Sequence, residues 1–377
     1  MPQPKRKERI PTKLKPLEFD VFHEWRRRIQ NFGGRSGSRD DAPDDSPICP
    51  QIPRSDLREV KRVLAMVSGG ADSMAMLRLL IALKGRLGFE LEVLHVHHGP
   101  SSRDILEADQ TAWRDRAASL VLTFCEFHGV SFHISKSKSL LRSEADFRRF
   151  RWQAIEALVA ERSRCSPARA IFDCVAFAHH REDLLETRLI RLLRGTGKQG
   201  LRGMSLWSQF RGILVWRPFI SSSRQEIRDY LDEAGARVGE DWIEDQTNAD
   251  VRYLRNAIRH RLLPLIESLR PNGVETLARS LETLAEEAGP FLPSSQIAAE
   301  LWRADLMKLS PELRRAKLSH WLLLQGVQNY SKAHVLEVLK RLDTDQRRLT
   351  FTVCGRVWLV DEKVRIVALS QQVQELE

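Results

Sequence analysis

The sequence predicts an α/β chain: a doubly wound, mostly parallel sheet, then a helical segment and a small α+β C-terminal domain. Three observations carry this expectation. Val63–Val67 is an apolar run of strand length that stops at Ser68-Gly69-Gly70 and gives way to a helix opening at Ala71-Asp72-Ser73, with Met74, Leu77, Leu80 and Ile81 at helical spacing. Leu91–Val96 is a second apolar run after that helix, the spacing of a right-handed strand–helix–strand crossover to a parallel neighbour. From Pro293 onward the pattern changes to helices followed by three short strand-like runs.

Composition narrows the class. The 377 residues carry 60 Lys+Arg against 50 Asp+Glu, a formal net charge of +10, which favours polyanionic partners. No apolar run approaches the roughly 20 residues of a membrane span, so no membrane association is expected. The basic N-terminus lacks the apolar core of a signal peptide, so a cytoplasmic location is expected. The five cysteines (Cys49, Cys125, Cys165, Cys174, Cys354) are scattered with no C-x-x-C pair. Zinc ribbons and cysteine-held clusters therefore lack their usual spacing, and free thiols suit a reducing compartment.

In chain order, residues 1–56 read as an N-terminal extension and linker, flexible, with a helix available over Phe19–Phe32 and a Gly/Ser/Asp/Pro-rich stretch over Gly33–Pro53. A catalytic domain is expected over 57–270, and a helical linker with the C-terminal domain over 271–377. Asp104–His128 is a long helix and Val130–Ile134 a third strand. His97 and His98 follow the second strand, where open α/β sheets bind ligands, and serve either a nucleotide or only a polar loop. Ser143–Trp152 is helical, with Glu144, Arg148, Arg151 and Trp152 near one face. Its arginines either hold phosphates or make a solvated face. Cys174–Ala178 is a buried strand running into His179, Asp183 and Glu186, spaced i, i+4, i+7 and on one face if the helix begins at His179. That set is a ligand site, or simply acids favoured at a helix start.

Gly195-Thr196-Gly197-Lys198-Gln199-Gly200 fits G-x-G-x-x-G but follows a helix and not a strand, so a dinucleotide site is rejected. With Arg194, Lys198 and Arg202 it suits close backbone approach to a phosphate chain, or a mobile lid. Leu214–Pro218 is a short strand, and Ser223/Glu226 is a capping box opening a helix to Ala234. Trp242–Pro264 carries Glu244, Asp245, Asn248, Arg255, Asn256, Arg259 and Arg261, either a site contribution or a solvated helix. Val274–Gly289, Leu301–Leu324 and Ser331–Leu342 are helical; Arg348–Val353, Val357–Val360 and Val364–Leu369 are strands.

Ser68-Gly69-Gly70-Ala71-Asp72-Ser73 offers glycine flexibility, open helix-start N–H groups and hydroxyls to an oxyanion. Asp72 would repel bare phosphate and fits a Mg²⁺ ion or a cationic substrate instead. S-G-G-x-D-S is not a Walker A loop. It resembles the pyrophosphate loop of the N-type ATP pyrophosphatases, the PP-loop superfamily. With His95–Gly99, Ala145–Trp152, Ala178–Thr187, Leu193–Met204, Arg217-Pro218-Phe219 and Glu244–Pro264 in order, the chain resembles the tRNA(Ile)-lysidine synthetase family over roughly residues 62–270. The last part, 300–377, is more loosely similar to that family's tRNA-binding region.

The resemblance implies a reaction using ATP and Mg²⁺. The C2 oxygen of the wobble cytidine in a CAU-anticodon tRNA(Ile) is adenylated, and the side-chain amine of L-lysine displaces AMP to give lysidine. Ser68 to Ser73 would hold ATP, with Asp72 near Mg²⁺ or the lysine amine. Asp183 and Glu186 would orient the amine, and His179 would contact ATP or relay a proton. Arg148, Arg151 and Arg255 would face the α-phosphate or tRNA phosphates. Arg194, Lys198, Asn256 and Arg259 are substrate or tRNA candidates, and a homodimer is open. The chain departs from the family pattern at Trp152 (usually Tyr), Glu182 (usually Asp or Asn) and Gln246, which points to Asp183 over Glu182 as the ligand carboxylate. The competing readings are a thiolase-like PP-loop enzyme acting on tRNA and a non-catalytic tRNA-binding protein.

Overall fold

The computed structural model describes residues 14–33, 60–99, 105–141, 143–165, 172–210, 213–244, 251, 253–287, 301–325, 327, 330–344, 346–353 and 355–368. Asp245, Gln246, Asn248, the basic run at Lys5–Lys7, Cys49 and Cys354 lie outside them. The described chain forms two compact units. The first holds the residues up to Leu184 together with those from Met204 to 244; the second holds Leu185–Gly203 and the residues from Val251 onward. No described helix is long and apolar enough to cross a membrane.

The first unit contains α1 (Pro16–Gly33), β1 (Arg62–Met66), α2 (Ala71–Leu87), β2 (Glu90–His97), α3 (Ile105–His128), β3 (Ser131–Lys136), α4 (Glu144–Cys165), β4 (Cys174–Ala176), the start of α5 (Arg181–Leu193), and later β5 (Trp207–Phe210), β6 (Ile213–Trp216) and α7 (Arg224–Glu233). Its described strands form one sheet in the order β3-β2-β1-β4-β6-β5. All neighbours are parallel except the β5–β6 hairpin, which the sequence reading did not foresee. The chain steps outward from β1 to β2 and β3, then returns to place β4 on the other side of β1. Strand order therefore reverses between β1 and β4, and their C-terminal ends flank a switch point where open sheets bind ligands.

Period-two alternation explains why β1 is apolar from Val63 onward. Val63, Ala65 and Val67 enter one core with α1, α2 and α7, while Leu64 and Met66 enter the other with Trp152, Ile155, Val175 and Phe177. Covering both faces leaves no polar position inside the strand.

The N-terminal extension supplies part of this core, beyond the flexible segment expected of it. Leu17, Val21 and Trp25, spaced i, i+4, i+8, are buried in the first core. The Trp25 ring lies 4.5 Å from Trp216, 5.3 Å from Trp207 and 5.6 Å from Phe89. Buried Glu18 accepts a 2.8 Å hydrogen bond from the Tyr230 hydroxyl on α7. Truncating such a ring leaves a large cavity, so Trp25→Ala should cost this unit about 3–5 kcal/mol, read by urea unfolding. A loss below about 1 kcal/mol would show that α1 is dispensable.

The second unit holds the rest of α5, then α6 (Lys198–Leu201), α8 (Leu254–Ala257), a π turn (Ile258–Leu262), α9 (Leu263–Leu269) and α10 (Gly273–Glu286). Leu185, Leu189, Leu201, Ile258, Leu263, Leu281 and Ala285 form its helical core. The π turn has a local cause. Pro264 has no N–H and cannot continue the i→i−4 ladder, and Leu263 N–H bonds back five residues to the Ile258 carbonyl.

The C-terminal part contains β7 (Leu301–Trp302), α11 (Arg303–Met307), α12 (Pro311–Leu324), α13 (Lys332–Leu342), β8 (Leu349–Val353), β9 (Arg356–Val360) and β10 (Lys363–Ala368). The sheet runs β7-β10-β9-β8 and is antiparallel throughout. Leu301–Leu324 is not the continuous helix expected. Leu301 and Trp302 pair with Val364 and Lys363, and a second helix starts at Pro311, a residue suited to a first helical turn.

Candidate active site

The loop after β1 is a fixed shape. Gly69 has φ +90°, and a Cβ there would come within 3.1 Å of Ala117 Cβ, so both its backbone angle and its close packing require glycine. Gly70 has φ −77° and is the residue before α2; it gives the helix no side-chain cap and leaves the helix-start N–H groups uncovered by one. Left-handed backbone is therefore used at one glycine of the pair, although the sequence offered it at both. Ser73 is buried and holds the loop together: its hydroxyl donates to the Gly70 carbonyl (2.8 Å) and accepts from Ser68 N–H (3.1 Å). Its proton is thus spent within the loop, so in the 3.1 Å contact between the two hydroxyls the exposed Ser68 donates to Ser73. The loop is also braced from behind, where Ile243 N–H donates to the Gly69 carbonyl at 3.0 Å.

His95 on β2 supports the same strand end. Its Nδ1–H donates to the Val67 carbonyl at 2.8 Å, and burial pushes its imidazole down to about 4. A neutral folded histidine has a definite pH consequence. The unfolded chain binds the proton near pH 6.5, so His95 costs nothing above that value and destabilises progressively as pH falls toward 4. Between pH 7.5 and 5 the loss is about 2 kcal/mol. Urea unfolding at both pH values should show that difference shrinking in His95→Gln; an equal loss in both proteins would remove His95 as its source. His98, at the same edge, is pushed down to about 3 by burial and by the charges of Arg151 and Arg114.

At the switch point, one buried imidazole after β4 meets three carboxylates, two from the start of α5 and one from the start of α2. His180, 1% exposed, has Nδ1 2.9 Å from Glu182 Oε2, and Nε2 3.3 Å from Asp183 Oδ2 and 3.7 Å from Asp72 Oδ2. Burial alone would lower the His180 pKa, but the Glu182 hydrogen bond and the charges of Asp183, Asp72 and Glu182 outweigh it and hold it above the ordinary value. The opposite member behaves accordingly: burial would raise Glu182, and the His180 hydrogen bond and charge bring it down. Asp72 Oδ1 is buried with no hydrogen-bond partner. That orphaned oxygen, with Asp183 nearby through His180, suits a magnesium ion held mainly by substrate phosphates and one or two carboxylates.

The helix after β4 starts at Arg181, so His179 lies outside it and does not share a helical face with Asp183 and Glu186. The backbone there is tied down otherwise: Arg181 N–H donates to the Ser222 carbonyl, and His180 N–H to Asp183 Oδ2 at 3.2 Å. His179 instead stacks its ring 5.6 Å from Phe177.

Glu186 has a different environment from Asp183. Its side chain is fully buried, and Arg259 grips it with Nε–Oε1 2.6 Å and Nη2–Oε2 3.0 Å. Arg255 Nε lies 3.5 Å from Oε2, and Arg255 Nη2 donates to Thr187 Oγ1 at 3.0 Å. A carboxylate enclosed by two guanidinium groups is held by them, whereas Asp183 lies at the His180 imidazole. Arg259 sits within the π turn. Asn256 lies one residue past Arg255 in α8.

The remaining candidates are dispersed. Arg148 is exposed and lies 5.9 Å from the Phe210 ring, and Arg151 lies 6.0 Å from the Phe177 ring. Trp152 is buried core, 4.4 Å from Phe210, so its indole is a packing surface. Arg194 is exposed. Lys198 pairs with Glu287 at 3.0 Å. The glycine segment is pinned at its end: Arg188 Nε donates to the Leu201 carbonyl (2.8 Å) and Arg191 Nη1 to that of Gly200 (2.7 Å).

The PP-loop domain family matches residues 50–266. A Bdellovibrio bacteriovorus protein named tRNA(Ile)-lysidine synthase is 34% identical over 316 residues, 81% of this chain and 92% of that protein. The chain belongs to the tRNA(Ile)-lysidine synthase family. A Bordetella bronchiseptica member of that name is 32% identical over 350 residues, 84% of this chain and 94% of its own. An Azoarcus member is 31% identical over 314 residues, 79% of this chain but 65% of its own length.

Sequence reasoning passed over His180. It stands beside His179, and nothing in a linear pattern tells which of two adjacent histidines turns inward. The usable signal was the apolar strand Cys174–Ala178: the residues that continue a buried strand are the first to meet the carboxylates beyond its end.

Proposed function

We propose that this chain is the ATP-dependent enzyme that forms lysidine on tRNA(Ile). It adenylates the C2 oxygen of the CAU wobble cytidine and then joins L-lysine to C2. The observation that supports this best is the meeting of Asp72, from the start of α2, and Asp183, from the start of α5, at His180.

The chemistry assigns work to each group. Ser68 and the N–H groups opening α2 receive the ATP phosphates. Mg²⁺, held by Asp72, would neutralise phosphate charge. The cytidine O2 attacks the α-phosphorus and pyrophosphate leaves. The lysine amine then attacks C2, AMP departs with the oxygen, and the amine loses a proton. At a reference pKa near 10.4 only about one lysine amine in 2,500 is neutral at pH 7, so the site must take that proton as well as place the nitrogen. Asp183 is the carboxylate for this, with His179 as a relay or ATP contact. Arg148 and Arg151 supply charge for phosphate. Arg194, Lys198, Arg255, Asn256 and Arg259 serve tRNA, with Glu186 holding two of these arginines. Residues 57–270 act as the catalytic domain and 271–377 as the tRNA-binding part, in the cytoplasm and with a homodimer open.

A thiolase-like reading needs a reactive sulfur. Of the cysteines whose side chains are described, Cys125 is pushed up to about 12 by burial and the Glu126 charge, and Cys174 well above its ordinary value by burial and the Asp173 charge. Neither is a ready thiolate. The test is stoichiometry. With ATP, Mg²⁺, L-lysine and a CAU-anticodon tRNA(Ile) transcript, each lysine attached should release one AMP. ADP formation, or AMP released equally without tRNA, would contradict the reading.

A further inference from the structure

We infer that Glu182 and His180 form a positioning pair that sets the relative placement of the Asp72 and Asp183 carboxylates for the lysine-dependent step. The inference rests on the lysidine-forming reading above. It concerns two residues to which that chemistry assigns no direct contact with substrate.

The geometry is a chain of fixed links. Glu182 Oε2 accepts from the backbone N–H of Arg224 at 3.0 Å, at the start of α7. The same oxygen lies 2.9 Å from His180 Nδ1. An ionised carboxylate only accepts, so Nδ1 carries the proton there. That bond fixes the ring's rotation and aims Nε2 the other way, at Asp183 Oδ2 (3.3 Å) and Asp72 Oδ2 (3.7 Å). The ring is 1% exposed and has no room to turn, whereas the Asp72 side chain is 30% exposed and reachable by a ligand. The placement is thus inherited from a backbone amide through a half-buried carboxylate and a fully buried imidazole. It joins α7, the end of β4 and the start of α2, three elements that the chain does not connect locally.

An outer partner that orients a reacting group commonly costs 10- to 100-fold when removed. Glu182→Ala should therefore lower kcat for lysine fixation by about 10- to 100-fold, with KM for tRNA and the thermal midpoint nearly unchanged. Glu182→Gln keeps an oxygen that can accept from both N–H groups and should restore most of the rate. His180→Asn, which cannot span the same distance, should behave like Glu182→Ala. A pair that served only folding would lower the midpoint and leave kcat per folded molecule intact. Normal turnover in Glu182→Ala, or equal damage in Glu182→Gln and Glu182→Ala, overturns the inference alone. No lysine fixed by the wild-type chain overturns the functional reading and this inference with it.

Discussion

Asp183→Asn should leave the chain folded and cut ATP-dependent lysine fixation by about 100- to 10,000-fold, the range for losing a group that handles the transferred proton. Asparagine has nearly the same shape, and its amide oxygen can still accept the His180 N–H that the native carboxylate accepts at 3.2 Å. What it lacks is the charge to draw an ammonium ion in and the basicity to take its proton. The loss should fall on the lysine-dependent step. Pyrophosphate release from ATP and tRNA without lysine should fall less, which separates a damaged amine site from a damaged ATP site. Near-normal lysidine formation would remove Asp183 from the chemistry and return attention to Glu186.

Glu186→Gln is expected to act on stability. Removing one partner of a buried ion pair costs about 3–5 kcal/mol, because the other charges are left uncompensated. Here two arginines would be left facing a neutral amide, Arg259 at 2.6 Å and Arg255 at 3.5 Å. Both belong to the helical part of the second unit, so its unfolding transition should move and that of the first unit should not. Glu186→Leu combined with Arg259→Met should lose less than Glu186→Leu alone, since replacing both members of a buried pair with apolar groups is often much milder. If Glu186→Gln melted like the wild type and only raised KM for lysine, Glu186 would be a substrate group after all.

The fold was legible where the apolar pattern is strong. Val63–Val67 is buried on both faces, which a run of consecutive apolar residues announces, and the Ser223/Glu226 capping box is present as read. The β5–β6 hairpin was missed because Trp207–Phe210 mixes one buried residue with exposed and half-exposed ones, and it is a strand only through its antiparallel partner. The segment around Trp25 was expected to be flexible because it sits beside a linker-like stretch, and only its docking against Trp216 reveals it as core. At the site, residue type and position singled out the glycine loop, Asp72 and Asp183 in advance. The different surroundings of Asp183 and Glu186 were not legible. Their spacing along the helix is the same whether or not arginines from a later segment enclose the second of them. His180 was hidden for the same reason, since its partner Asp72 comes from a different strand end.

The measurement closest to the central claim uses the full chain with ATP, Mg²⁺, radiolabelled L-lysine and a CAU-anticodon tRNA(Ile) transcript, followed by nuclease mapping of the label. Label fixed at the wobble cytidine, dependent on ATP and lost in Asp72→Ala, is the predicted result. AMP released with no label on the tRNA, or label at another nucleotide, would contradict it.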